Sequence, residues 1–268
     1  MTDHYAVVGH PIAHSKSPLI HAEFARQTSQ DLAYDRLLAP LDGFAEVVAA
    51  FRAGGGAGLN VTVPFKEQAF ELAPRRTPRA QAAGAVNTLK FEAGDILGDN
   101  TDGAGLARDL TRNLGVPINR KQILLIGAGG AARGVIGPLL QEEPAALVLV
   151  NRTSEKAEQL ARQFDLRLSA CGYEDLNEQS FDIVINATSA SLTGHVPDLP
   201  TTIFAPGALA YDMMYGMETA FMAWARNHGA HRVADGLGML VEQAAESFHL
   251  WRGIRPDTRS VITQLSRP

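Results

Sequence analysis

The chain has 268 residues, 46% apolar and 20% charged, a make-up that fits a folded globular protein and excludes a disordered one. Its net charge of -5 argues against a nucleic-acid partner, and no run approaches the ~20 apolar residues that cross a bilayer. The single cysteine, Cys171, excludes an internal disulfide and a multi-cysteine zinc site, and fits a reducing cytoplasm.

The opening MTDHYAVVGHPIAHS has no basic segment followed by a long apolar run, so it does not read as a signal peptide. A strand is predicted at YAVVG (5–9), then a helix at SPLIHAEFARQT (17–28), started by Ser17 as a cap and by Pro18. YDRLLA (34–39), LDGFAEVVAAFRA (41–53), GLNVTV (58–63) and NTLKF (87–91) follow, with the glycines of 52–58 ending the second helix. Short β-rich runs alternating with helical ones imply βα units and a mostly parallel sheet. Arg75, Arg76 and Arg79 read as a solvated surface group. His10, His14 and His21 lack the acidic or cysteine neighbours of a metal set, so no metal is expected.

The second half is more regular. QILLIG (122–127), ALVLVN (146–151), LRLSA (166–170), FDIVINAT (181–188) and LAYDMMY (209–215) are apolar throughout, as strands buried on both faces require. Helices AARGVIGPLLQ (131–141) and SEKAEQLARQF (154–164) fill the first gaps, in the order of a doubly wound domain. The last long segment, GMLVEQAAESFHLWRG (238–253), sets Leu240, Val241, Ala244, Phe248 and Trp251 on one helical stripe. By the same pattern Gln243 falls at the border of the stripe, where a polar residue is usually solvated.

Between the first strand of that half and its helix lies ILLIGAGGAARG, residues 123–134. Gly127 permits a tight turn, Gly129 lets backbone approach a pyrophosphate, Gly130 adds clearance, and Ala132 fills the third fingerprint position with only a methyl group. The following helix offers free N–H groups and the positive end of its dipole. At the end of the next strand, NRTSEK (151–156) has Asn151, Arg152, Thr153 and Lys156 where an NAD enzyme usually carries a ribose-binding carboxylate. A guanidinium there welcomes a 2′-phosphate, so the expected cofactor is NADP.

In LNVTVPFK (59–66), Asn60 and Thr62 share one strand face while Val61 and Val63 point away. Pro64 stops the strand and Lys66 lies beyond its carboxyl end, where ligands of open α/β sheets bind. On this motif alone, a wet strand face and the wall of a site are equally open. HSKSP adds Ser15 and Ser17 at another carboxyl end, GAVNT adds Asn87, and GDNTDG adds Asp102 in an expected tight turn. Should these loops converge, Lys66 can protonate the oxygen that hydride delivery leaves on a ketone, with Asp102 holding the ammonium.

SKSP (15–18), NVTVPFK (60–66), GAVNT (84–88), NTDG (100–103), GAGGAARG (127–134), NRTSEKA (151–157), YDMMY (211–215) and GLGMLVEQA (237–245) together resemble the shikimate dehydrogenases in order and spacing. The resemblance covers essentially the whole chain and implies reversible, NADPH-dependent reduction of 3-dehydroshikimate to shikimate in aromatic amino-acid biosynthesis. It implies that Ser15 and Ser17 bind the substrate carboxylate. Asn60, Thr62, Asn87, Asp102, Tyr215 and Gln243 would contact or support its ring hydroxyls, and Lys66 and Asp102 would form the catalytic pair. Gly127, Ala128, Gly129, Gly130, Ala131, Asn151, Arg152, Thr153 and Lys156 would hold NADP, with Met213 and Gly236 beside the nicotinamide. Many members carry an acidic residue where this chain has Pro78 and Arg79, which leaves a cofactor contact there in question.

The implied fold is α/β: a substrate domain with a mostly parallel sheet (1–101), an NADP-binding Rossmann domain (102–236), and a C-terminal segment (237–268) that returns to the first domain. The expected partner is a small molecule, with no nucleic acid and no membrane, for a cytoplasmic monomer or homodimer. A dehydrogenase with relaxed quinate or NAD use, and a non-catalytic NADP-binding protein, are the alternatives. The presence of both Lys66 and Asp102 disfavours the latter.

Overall fold

Apolar runs alternating with helices build two separate six-stranded sheets. The computed structural model describes residues 2–92, 94–164, 167–188, 190 and 194–266. These form two units: the described residues of Met1–Gly105 with Leu240–Pro268, and those of Leu106–Met239.

In the first unit the elements are β1 (Asp3–Gly9), α1 (Ser17–Thr28), β2 (Leu32–Leu38), α2 (Phe44–Ala53), β3 (Gly56–Val61), α3 (Lys66–Leu72) and β4 (Arg75–Arg76). α4 (Pro78–Ala83), β5 (Thr88–Glu92), β6 (Asp95–Asp99) and the start of α5 (Asp102–Arg108) follow. The sheet order is β2-β1-β3-β5-β6-β4. β1 runs parallel to β2 and β3, whereas β5 is antiparallel to both β3 and β6, so the sheet is mixed. Two local expectations need correcting. Asp102 is not in a tight turn but opens α5, where its carboxylate complements the positive helix end. Ser17 does not cap α1: Lys16 holds that position without a side-chain bond, and Ser17 is inside the first turn.

The LNVTVPFK strand also ends earlier than its sequence suggests. β3 stops at Val61, and the Phe65 amide donates to the Thr62 carbonyl at 3.0 Å, closing a turn. Val63, 62% exposed in that turn, does not join the core as Val61 does.

The second unit contains β7 (Gln122–Ile126), α6 (Gly130–Gln141), β8 (Ala146–Val150), α7 (Ser154–Ala161), β9 (Leu168–Cys171), β10 (Phe181–Asn186), β11 (Phe204–Asp212), α8 (Ala220–Asn227) and β12 (Arg232–Ala234). Their order, β12-β11-β10-β7-β8-β9, is wholly parallel and reverses direction between β7 and β10. That reversal is the switch point at which doubly wound sheets bind dinucleotides. Leu166, the start of the LRLSA strand, lies outside the described residues. β11 ends at Asp212 rather than 215, because the Met214 amide turns back to donate to the Asp212 carboxylate at 3.0 Å.

α9 (Leu237–Arg252) and α10 (Arg259–Leu265) close the chain. From Leu240 onward they belong to the first unit. Val241, Ala244, Ala245 and Phe248 pack against Ile20 and Phe24 of α1, and Trp251 stacks on Tyr5 at 4.6 Å. Each such buried apolar side chain stabilises the fold by about 1.5–3 kcal/mol. The Trp251 indole N–H donates to the Leu89 carbonyl at 3.0 Å, directly over Gly58. A Cβ at Gly58 would stand 2.6 Å from that nitrogen, so the tryptophan needs the glycine beneath it.

Candidate functional site

The carboxyl ends of β1, β3 and β6 bring most of the candidate substrate residues into one hydrogen-bonded network of the first unit. Lys66, first residue of α3, places Nζ 2.5 Å from Asp102 Oδ2. The second Asp102 oxygen accepts from Asn87 Nδ2 at 2.8 Å. Asn87 also donates to Thr101 Oγ1 (2.9 Å) and to Gln243 Oε1 (3.3 Å), and its own oxygen accepts from the Thr101 amide. Lys66 keeps about a quarter of its side chain exposed, whereas the Asp102 side chain is 10% exposed. The arrangement therefore presents an ammonium to solvent while a fixed, amide-supported carboxylate holds it from behind.

Gln243 corrects the helical pattern. It is half-buried, with Nε2 donating to the Leu240 carbonyl at 2.8 Å and Oε1 turned toward Asn87 and Thr101. Asn60 is 6% exposed and fully engaged: Oδ1 accepts from Tyr34 at 2.7 Å, and Nδ2 donates to Ser247 at 2.9 Å and to Thr88 at 3.2 Å. Thr62, one residue past β3, donates its amide to the Val8 carbonyl and rests its methyl against Gly9. The Ser15 and Ser17 hydroxyls are 3.2 Å apart. Tyr215 belongs to the second unit, beyond the end of β11; burial raises its phenol.

Sequence reasoning missed Tyr34, Thr101, Ser247 and Arg36. Tyr34 and Arg36 are two apart on β2 and so share a face. Tyr34 binds Asn60 and also interacts with Ser17, while the Arg36 guanidinium donates twice to the Ser15 carbonyl. Only the two-residue spacing in YDRLLA hinted at them. His21, fully buried, stacks on Tyr34 at 4.2 Å, and among the described residues no group meets its ring nitrogens at hydrogen-bond geometry. Burial, the larger influence, lowers its imidazole to about 3, while nearby Asn60 acts in the opposite direction.

Arg79 is not solvated as the sequence suggested. It grips buried Asp99 with two nitrogens and Glu246 of α9 at 3.0 Å, because Asp99 is 1% exposed and needs a counter-charge. Arg76 instead donates to the Phe70 carbonyl and lies over its ring at 4.2 Å.

In the second unit, Gly127 follows β7 at φ +109°, with its amide on the Val150 carbonyl at 2.7 Å. A Cβ there would lie 2.9 Å from Thr188, so the left-handed turn requires glycine. Gly129 occupies the cap position of α6, no side chain caps that helix, and its first turn carries no acid. Cβ atoms built on Gly129 or Gly130 would meet nothing within 4 Å, so there is room beside the first turn of α6, where a helix start leaves N–H groups without intrahelical partners. Ala128 packs against the core beneath. Arg152 and Lys156 are exposed at the end of β8 and the start of α7, and Asn151 Nδ2 fixes the loop by donating to the Thr153 carbonyl at 2.9 Å. Met213 donates to the Asn186 carbonyl, and a Cβ on Gly236 would stand 2.3 Å from the Met213 carbonyl oxygen. Room, the N–H groups of a helix start and the exposed cations Arg152 and Lys156 fit a phosphorylated dinucleotide.

Backbone built for a pyrophosphate in one unit, and an ion-paired lysine among buried amides in the other, define a dinucleotide-dependent oxidoreductase. Family models match as the shikimate dehydrogenase substrate binding domain (residues 7–89), shikimate / quinate 5-dehydrogenase (109–194) and the shikimate 5'-dehydrogenase C-terminal domain (236–265). The shikimate dehydrogenase (NADP(+)) of Nitrosospira multiformis is 63% identical, covering 99% of this chain and 98% of its own. Among solved structures, an Ael1 enzyme from Pseudomonas putida has a TM-score of 0.96 at 53% identity, covering 100% of this chain and 99% of that one. Shikimate 5-dehydrogenase from Thermus thermophilus, in complex with NADP(H) and shikimate, has a TM-score of 0.87 at 32% identity, covering 98% of both chains. The chain belongs to the shikimate dehydrogenase family.

Proposed function

We propose that this chain catalyses the reversible, NADPH-dependent reduction of 3-dehydroshikimate to shikimate, a step of aromatic amino-acid biosynthesis. The observation that carries the reading is the Lys66–Asp102 pair at 2.5 Å, backed by Asn87, in a chain that also has an open, cation-flanked dinucleotide turn. Bound NADPH supplies the hydride. Lys66 Nζ gives a proton to the ketone oxygen as it becomes a hydroxyl, and takes it back in the reverse direction. Asp102 holds the ammonium in place, and Asn87 keeps Asp102 from turning away.

Ser15 and Ser17 receive the substrate carboxylate. Asn60, Thr62, Asn87, Tyr215 and Gln243 contact the ring hydroxyls or fix the groups that do. The Gly127–Ala131 backbone, with Asn151, Thr153, Arg152 and Lys156, holds NADP, the two cations taking its 2′-phosphate, and Met213 and Gly236 flank the nicotinamide. No described helix is long and apolar enough to cross a membrane. The enzyme works in the cytoplasm as a monomer or homodimer, without a nucleic-acid partner.

Initial rates of NADP reduction by shikimate, run beside NAD and beside quinate, test this reading. Turnover with NADP and shikimate at far higher kcat/KM than with either substitute is expected. Comparable turnover of quinate or NAD contradicts the assigned selectivity, and no turnover with any pair contradicts the activity.

A further inference from the structure

The two serine hydroxyls are neutral donors. A hydroxyl can donate to a carboxylate, an ester carbonyl or an amide, so the pair alone orients an oxygen and discriminates its charge only weakly. A fixed cation selects charge, because hydrogen bonds to an ionised group are roughly twice as strong as neutral ones. Arg36 is such a cation. Its Nε and Nη2 donate to the Ser15 carbonyl at 3.0 and 2.5 Å, a two-pronged hold on the loop that carries both serines. The guanidinium has five N–H donors, and the single carbonyl oxygen leaves the outer ones free. Arg36 is exposed, so its guanidinium is within reach of solvent.

Position on the strand explains why this residue reaches the serines. β2 is the edge strand beside β1, and Tyr34 and Arg36 project from one face of it. Tyr34 secures Asn60 and Arg36 secures Ser15, so one strand face supports both ends of the candidate substrate site. Lys16 lies between the serines and is also cationic, but its half-buried side chain makes no capping hydrogen bond to α1.

We propose that Arg36 is a specificity-determining residue: it fixes the Ser15–Ser17 loop and supplies the positive charge that makes this site select a carboxylate. The inference rests on the shikimate reading above and adds a residue that recognises charge. Kinetics of the wild-type chain, Arg36→Gln, Arg36→Lys and Lys16→Gln, each with shikimate and with its methyl ester, test it. Arg36→Gln should raise KM for shikimate ~10-fold with kcat within about twofold, the mark of lost uniform binding. Its kcat/KM for the ester, which loses only the hold on the serine loop, should fall at least about threefold less than that for the acid, and Arg36→Lys should recover part of the acid's loss by keeping the charge.

Equal losses for acid and ester in Arg36→Gln would reduce Arg36 to a structural prop and overturn the proposal. So would an unchanged acid KM, or a loss confined to Lys16→Gln. Failure of the wild-type chain to oxidise shikimate would instead remove the reading on which the proposal stands.

Discussion

In the first unit Asn60, Asn87, Thr101, Asp102, Gln243 and Ser247 are hydrogen-bonded to one another, whereas in the second unit the start of α6 is uncapped and Gly129 and Gly130 face open space. The chemistry of the two proposed ligands accounts for the difference. Ring hydroxyls are told apart by the direction of their hydrogen bonds, so their partners must be held rigid by a surrounding network. A pyrophosphate asks for less direction and more space: small residues, free N–H groups and positive charge.

The largest expected break in this contrast is Asn60→Leu. It removes the Tyr34 hydroxyl's acceptor and a partner of both Ser247 and Thr88, and puts an apolar side chain into a buried polar network, so urea unfolding should show a loss of about 3 kcal/mol. A loss under ~0.5 kcal/mol would mean that the network adds little rigidity. Next comes Arg152→Asp, which should weaken NADP binding ~30-fold, about 2 kcal/mol, and NAD binding far less. Titration of intrinsic fluorescence with each dinucleotide reads both, and equal losses would sink the 2′-phosphate assignment.

Near neutral pH the smallest effect is a pH slope, which grows only as the solution becomes acidic. His21 is neutral in the fold with its pKa lowered to about 3, while the unfolded chain titrates near 6.5. Between those values the unfolded state binds the extra proton, so stability falls as pH drops below about 6.5, by at most about 1.4 kcal/mol per unit. Denaturation midpoints for His21→Phe should fall less steeply over that window than those of wild type. Parallel curves would place the acid sensitivity elsewhere.

These contrasts also explain what could be read from the sequence. Five of the second unit's six described strands were legible because they are largely apolar, whereas the three-residue β12 was not read, and the glycine turn was legible because a left-handed residue such as Gly127 leaves a mark in the chain itself. The first unit was less transparent. Lys66, Asn87 and Asp102 stood out as polar residues at strand ends, but their convergence was visible only through resemblance. Tyr34, Ser247 and Arg36 were missed because their partners lie 26, 187 and 21 residues away, and no local period encodes such pairings. α3, α4 and β6 were missed because each is no longer than seven residues, too short for a periodic signal. Ser17 was misread as a cap because serine before proline has the right chemistry one residue too late.

The central claim is that the rigid polar unit performs the proton chemistry through Lys66. Lys66→Ala, examined by steady-state shikimate oxidation together with equilibrium binding of shikimate, tests it most directly. The account predicts a fall in kcat of ~100-fold or more with substrate affinity changed only a few-fold. A variant that turns over at the normal rate would contradict it.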